Sequence, residues 1–273
     1  MLLSDALDQA KTLSGLHEIP FEDFLYLLSD ILKLSKSELK LKESIVLSDL
    51  QKACWKDYSA RRVAGEPSQY ITGTAWFYGL ELQVASGVLI PRPETEGLVE
   101  LALNLLNPNA TVLDIGTGSG AIAIALKHNL GTLNVHATDI SPKALEVAGS
   151  NAFRHRLTID FHQADLFPDN ALSYDMVISN PPYIKESDYY SLPKHILVHE
   201  PKNALLAGDN GLEYYHRILI NATSVLSQGA YILFEIGYDQ ADAINYIAKN
   251  LGITKMETRK DLAGHDRYQI YQT

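Results

Sequence analysis

Apolar residues recur along this chain with two different periods, and the change from one to the other divides it. Over roughly the first 66 residues the spacing is three or four, as on one face of a helix. Ala6, Leu7, Ala10 and Leu13 make the first such stripe, with Ser4 placed to cap it and Gly15 to end it. Ser35 and Glu38 have capping-box spacing. Ser48 opens a further helix that runs towards Gly65, with Pro67 just beyond. Around Trp76–Val84 the period falls to two. Leu80, Leu82 and Val84 alternate with Glu81 and Gln83 after a turn at Gly79, which predicts a β-hairpin.

From residue 111 onwards short apolar runs alternate with helical stripes. Thr111–Ile115, Val135–Asp139, Thr158–Phe161, Met176–Ser179 and Tyr231–Ile236 read as strands. Helices are predicted from Ser119 to His128, from Pro142 behind a Ser141 cap, and from Leu212 to Leu226. Ile253–Thr258 and Tyr268–Tyr271 read as a closing antiparallel pair. Alternation of this kind predicts an α/β domain, a doubly wound and mostly parallel sheet with right-handed crossovers. The predicted organisation is a helical domain over 1–66, a hairpin linker over 67–92 and the α/β domain over 93–273.

Composition narrows the function classes. The chain has 273 residues, 46% of them hydrophobic and 21% charged, enough apolar material for one large core and one small one. Its net charge of −10 excludes the broad basic field by which general nucleic-acid binders release counterions. Cys54 is the single cysteine, so no intrachain disulfide forms, and a reducing cytoplasm is the expected setting. The start lacks the basic and apolar regions of a signal peptide, and no apolar run suits a membrane span.

Candidate chemistry clusters at the predicted strand ends. Gly116, Thr117, Gly118, Ser119 and Gly120 follow the first strand and open a helix. Glycines there let the backbone turn tightly and a ligand come close. Asp139 ends the second strand, where a carboxylate can accept from both hydroxyls of a ribose. Gly116, Gly118 and Ala121 also fit a dinucleotide fingerprint, so these residues leave NAD and S-adenosylmethionine both open. Asp165 and Leu166, after the third strand, are placed to meet an adenine amino group and to cover its ring.

Asn180-Pro181-Pro182-Tyr183, after the fourth strand, decides between them. The prolines fix φ and remove backbone donors. The Asn180 side-chain oxygen and the Pro181 carbonyl can then both accept from one planar –NH2 group, on which the Tyr183 ring can stack. A conjugated nitrogen is a poor nucleophile, and two acceptors both orient it and stabilise the charge it develops. A dehydrogenase has no use for such a motif, whereas a methyltransferase using S-adenosylmethionine does.

This motif is similar to those of methyltransferases acting on amino groups in DNA, in RNA or in glutamine. Val88–Glu96, Glu235-Ile236-Gly237-Tyr238 and Asp261–Arg267 resemble the release-factor glutamine methyltransferases of the HemK/PrmC family. So do Gly65-Glu66-Pro67, Tyr70–Gly73, Glu200-Pro201 and Ala204-Leu205, with His199 standing where an aromatic residue is usual. The resemblance covers residue 60 or so to the end. It implies a seven-stranded sheet of the S-adenosylmethionine methyltransferase type. Gly116–Gly120, Asp139, Asp165, Leu166 and Asn180 would form the cofactor pocket. Asn180–Tyr183 would be catalytic and hold the amide, with Arg92 and Thr95 in the wall over it. The implied substrate is the glutamine of the Gly-Gly-Gln motif in peptide chain release factors. The alternative is a DNA or RNA amino-methyltransferase, which would need a basic groove or a target-recognition domain. A binding module without catalysis would not need two acceptors aimed at an amine.

His195 and His199 have metal-ligand spacing but no third ligand, and Pro193 and Pro201 suggest a loop; no metal is expected. Lys52, Lys56, Arg61 and Arg62 read as a solvated face, and Tyr189, Tyr190, Tyr214 and Tyr215 as packing residues. A monomer free of nucleic acid and membrane is expected.

Overall fold

The structure, a computed structural model, describes residues 1–169 and 172–273. The chain forms two compact units. One comprises Met1–Thr74 with Lys194–His199; the other comprises Ala75–Pro193 with Glu200–Thr273.

The first unit is helical: α1 (Leu3–His17), α2 (Phe21–Leu32), α3 (Lys36–Leu41), α4 (Asp49–Val63) and α5 (Ser68–Thr72). Leu3, Leu7, Phe24, Leu28, Leu39 and Trp55 meet in one core, with Phe24 and Trp55 edge to face at 6.2 Å. Ser35 and Ser48 cap α3 and α4 as their spacing predicts. Ser4 does not cap α1. The helix begins two residues earlier, with Leu2 at the cap, because Leu3 is wholly buried, and Asp5 accepts from the Leu2 N–H. Gly15 does not end it either; Glu18 takes the left-handed cap at φ 54°. The basic face on α4 is largely neutralised, Arg61 by Glu66, Arg62 by Asp23 and Lys52 by Asp49.

The second unit begins with the hairpin β1 (Thr74–Phe77) and β2 (Leu80–Gln83). Then follow α6 (Thr95–Leu105), β3 (Thr111–Ile115), α7 (Ala121–Asn129), β4 (Asn134–Asp139), α8 (Pro142–Arg154), β5 (Asp160–Gln163), β6 (Tyr174–Ser179) and α9 (Glu186–Tyr189). The stretch read as a loop around His195 is a helix, α10 (Lys194–His199), and belongs to the first unit. The chain ends with α11 (Glu213–Ala222), β7 (Leu226–Glu235), α12 (Ala241–Asn250), β8 (Lys255–Lys260) and β9 (Asp266–Gln272). Two of these differ from the pattern reading. α12 has no counterpart in that pattern, and the helix expected to reach Leu226 stops at Ala222, with a turn before Leu226 enters the sheet opposite Tyr174.

Seven strands form one sheet in the order β5-β4-β3-β6-β7-β9-β8, parallel except at β9, which is antiparallel to β7 and β8. Side chains alternate between two cores. Val112, Met176, Ile178 and Leu233 face α6 and α7, while Leu113, Ile115, Val177, Ile232 and Phe234 face α11 and α12. The register aligns Thr138, Ile115, Ser179 and Phe234 in one row. The next residue on each strand, Asp139, Gly116, Asn180 and Glu235, therefore stands at the same level. Among the described residues no helix is long and apolar enough to cross a membrane.

Two helical glycines should respond oppositely to alanine. A Cβ at Gly97 in α6 would lie 2.2 Å from the hydroxyl of Tyr268, whereas one at Gly149 in α8 meets nothing within 4 Å. Gly149→Ala should stabilise the fold by about 0.5–1 kcal/mol through helix propensity. Gly97→Ala should destabilise it by about 1–3 kcal/mol through overpacking, read as opposite shifts of unfolding midpoint.

Candidate active site

Beyond the carboxyl ends of β3, β4 and β6 lies a cleft of about 1070 Å³, open to solvent. Its wall includes the turns that leave those strands and β5, the Gly87–Arg92 segment after the hairpin, Thr95 at the start of α6, and Pro201, Asn203, Ala204 and Tyr214.

The turn after β3 has its glycines in left-handed conformations, at φ 73° for Gly116 and 56° for Gly118. Nothing lies within 4 Å of where their side chains would stand, so the space over the turn is open. Gly120 has a different reason. A Cβ there would lie 2.9 Å from Ile124 and 3.1 Å from Ala148, so the glycine lets α7 and α8 close up, and it does not line the cleft. Its left-handed φ also moves the helix start to Ala121. Thr117 spends its hydroxyl on Asp114 at 2.6 Å. Asp114 is fully buried, which pushes its carboxyl up to about 7. Ser119 is held through its carbonyl by Asn151, a buried residue of α8 that also exchanges two hydrogen bonds with Gln83.

Asp139 lines the cleft and accepts at both oxygens, from the Gly118 N–H and the Ser141 N–H, each at 2.9 Å. Each oxygen keeps a further lone pair for a ligand. Burial raises this carboxyl from its ordinary value. Leu166 has φ 77°, and Thr138 fixes that turn by donating to its carbonyl at 2.6 Å. Asp165 is on the rim, where Arg217 takes one of its oxygens at 2.7 Å. Tyr214, read from sequence as packing, is also in the wall, whereas Tyr215 is wholly buried.

Asn180, Pro181 and Pro182 line the cleft where β6 ends. Asn180 Nδ2 donates to Thr95 Oγ1 at 3.0 Å, and Thr95 donates to Glu235 Oε2 at 2.6 Å. Among the described residues no donor of the chain bonds Asn180 Oδ1 or the Pro181 carbonyl. Tyr183 is placed differently from its neighbours. Its half-buried ring packs on the core beneath α11 and is absent from the cleft wall, and burial pushes its phenol up to about 12. Gln240 holds this loop, donating to the Tyr183 carbonyl at 3.0 Å while its own oxygen accepts from Gly237. Arg92 lines the cleft but is engaged by Glu200, with both carboxylate oxygens at 2.6 Å. The sequence reading assigned no role to Glu235, Asn151 or Gln240. Only Glu235 carried a signal, as part of a quoted motif.

A glycine turn, a strand-end carboxylate and an Asn-Pro-Pro loop, set on a sheet of this order, define a methyltransferase. Residues 95–212 match the family described as Methyltransferase small domain, and residues 5–73 match the PrmC N-terminal domain. A crystal structure of a methyltransferase from Pyrococcus furiosus shares the fold, with a TM-score of 0.54 at 17% identity over 82% of this chain and 98% of that one. The release factor glutamine methyltransferase of Streptococcus pneumoniae is 39% identical over 96% of this chain and 91% of its own length. That of Aliivibrio fischeri is 37% identical over 97% and 94%. The chain belongs to the release factor glutamine methyltransferase family.

Glu235 carries a pH signature. Burial pushes its carboxyl up to about 7 from an ordinary 4.5, against the pull of Thr95 and Arg267. The folded chain thus keeps a proton that the unfolded chain has lost. The stability this gives is full below about pH 4.5 and is lost as pH rises through about 7. Glu235→Gln cannot titrate, so its unfolding free energy should fall less between about pH 5 and pH 8, by roughly 1–3 kcal/mol. Asp114 titrates alike in both proteins, so the difference between their denaturant midpoints isolates Glu235.

Proposed function

We propose that this protein transfers a methyl group from S-adenosylmethionine to the side-chain amide nitrogen of the glutamine in the Gly-Gly-Gln motif of peptide chain release factors. The observation that carries this reading is the pair of acceptors that no donor of the described residues bonds, Asn180 Oδ1 and the Pro181 carbonyl, on residues that line one cleft with Asp139.

The residues present suit the methyl donor. Gly116 and Gly118 leave room for a ligand against the backbone, and Asp139 keeps lone pairs for two ribose hydroxyls. Leu166 and Tyr214 offer apolar surface in the same cleft for a purine, with Asp165 beside it for an amino group. S-adenosylmethionine, when bound, supplies a methyl group already activated on a sulfonium. What remains for the protein is to hold a weak nucleophile in line and to stabilise the positive charge that grows on it. Asn180 and Pro181 do this by accepting from the two N–H bonds of the amide, while the two prolines keep competing donors away. Arg92, tied to Glu200, and Thr95 form the facing wall. Tyr183 backs the loop from the core side.

Among the described residues none that lines the cleft belongs to Met1–Thr74 or to Lys194–His199. The helical unit therefore supplies none of the chemistry, and we assign it to recognition of the release factor. The setting is the cytoplasm, with one chain acting alone and without a nucleic-acid partner.

The test is to incubate the enzyme and labelled donor with release factors carrying Gly-Gly-Gln or Gly-Gly-Glu, and to locate the added methyl by mass spectrometry. The glutamine form should be methylated. The glutamate form should react at least about 10⁴-fold more slowly, since a carboxylate gives the two acceptors no donor and opposes them with charge. Methylation of both at comparable rates would rule out paired acceptors. Asn180→Ala should cut turnover more than about tenfold, a loss above ~1.4 kcal/mol, while calorimetry shows donor affinity nearly unchanged.

A further inference from the structure

Thr95 stands in the cleft wall, yet both hydrogen bonds of its side chain are internal. A hydroxyl has a single proton. With Glu235 as a carboxylate that proton goes to Oε2, at 2.6 Å, so only lone pairs face Asn180. The Asn180 amide must then turn its –NH2 end to Thr95, at 3.0 Å, and its oxygen the other way. The reversed amide would set its oxygen against another oxygen with no proton between them. Water cannot substitute in this arrangement, because Thr95 is 5% exposed and Glu235 1%. The backbone on either side of the Thr95–Glu235 bond is tied to the fold. The Glu235 carbonyl accepts from the buried Tyr215 hydroxyl at 2.9 Å, and the turn before Thr95 is tied at Glu94 by Tyr268 at 2.6 Å.

We propose that Thr95, oriented by Glu235, is a positioning residue that decides which end of the Asn180 amide faces the substrate. This rests on the role given to Asn180 above. The relay sets the polarity of the pocket: with it the cleft offers an acceptor and selects an amide, and without it Asn180 can swing round and offer an N–H to a carboxylate. Thr95 thereby governs rate and the choice between glutamine and glutamate through Asn180, its own hydroxyl being spent on that relay.

The experiment uses the full-length enzyme, a release factor carrying Gly-Gly-Gln as substrate and its Gly-Gly-Glu form as competitive inhibitor. Thr95→Val, which keeps the shape and loses the hydroxyl, should lower kcat by about 10- to 100-fold, the range for one oriented hydrogen bond. Donor affinity by calorimetry should stay within about twofold, because a hydroxyl already spent on Asn180 and Glu235 is not one the donor can use. Thr95→Ser should restore turnover to within about threefold, since it returns the same single proton. Glu235→Gln should lower kcat in the same direction as Thr95→Val, because its amide can donate to Thr95 and turn that hydroxyl towards Asn180. The distinguishing result is inhibition: the Gly-Gly-Glu factor should bind Thr95→Val at least about tenfold more tightly than the native enzyme. Native turnover in Thr95→Val, or native turnover in Glu235→Gln, overturns the relay. So does an activity loss that Thr95→Ser shares, or one accompanied by loss of donor binding, since either marks a merely structural effect. If the native enzyme leaves the Gly-Gly-Gln factor unmethylated, the substrate reading falls first and the relay with it.

Discussion

The site depends on strand register. β4, β3, β6 and β7 are parallel neighbours whose paired residues Thr138, Ile115, Ser179 and Phe234 stand in one row. One step further along each strand come the carboxylate, the glycine turn, the amide and the buried glutamate. Residues from four distant parts of the chain therefore meet at one level without any long loop reaching for another. A slip of one residue in any of these strands would turn its apolar set from one core into the other. With α6 and α7 on one face and α11 and α12 on the opposite face, neither core could receive it. Hydrophobic alternation across the sheet thus holds the chemistry in place, although none of the apolar residues takes part in it.

Around that row the protein buries polar groups, which is costly unless each finds a partner. Asn151 ties the hairpin to the glycine turn, Gln240 ties the Tyr183 carbonyl to the loop after β7, and Glu200 holds Arg92. Each ties a turn or loop beside the cleft to a part of the chain that no helix or strand ladder joins to it. Such loops would otherwise sample many conformations, and fixing them in advance lowers what a bound substrate must order. The elevated carboxyls of Asp114 and Glu235 are the electrostatic trace of the same arrangement.

The parts visible in the sequence were those whose cause is local. The glycine turn, the Ser141 cap with Pro142 and the Asn-Pro-Pro run each declare a backbone geometry within a few residues, and the period-two hairpin does the same. The alternation of strands and helices was enough for the parallel sheet. What stayed hidden depends on partners far apart. Thr95 and Glu235 are 140 positions apart, and Asn151 is 68 from Gln83. A lone threonine or asparagine in a helix has no periodicity to reveal its partner. Tyr183 shows what a motif leaves open: its place there suggests stacking on substrate, and only the fold shows that its half-buried ring also packs on apolar neighbours in the core. Ser4 failed because burial of Leu3 outweighed a capping preference, as tertiary packing commonly does.

The six residues of α10 have a consequence for how separable the two units are. Lys194–His199 lies in the second half of the sequence but belongs to the helical unit with Met1–Thr74. That unit is not a continuous segment, and the backbone passes between the units after Thr74, before Lys194 and again after His199. No single cut in the polypeptide divides the protein into its two parts. A gene fragment ending at the hairpin encodes an incomplete helical unit, and the complementary fragment carries a helix without its neighbours. Joining a segment at one end of the catalytic unit would therefore not by itself reproduce this division, because residues 194–199 come from within the second half of the sequence.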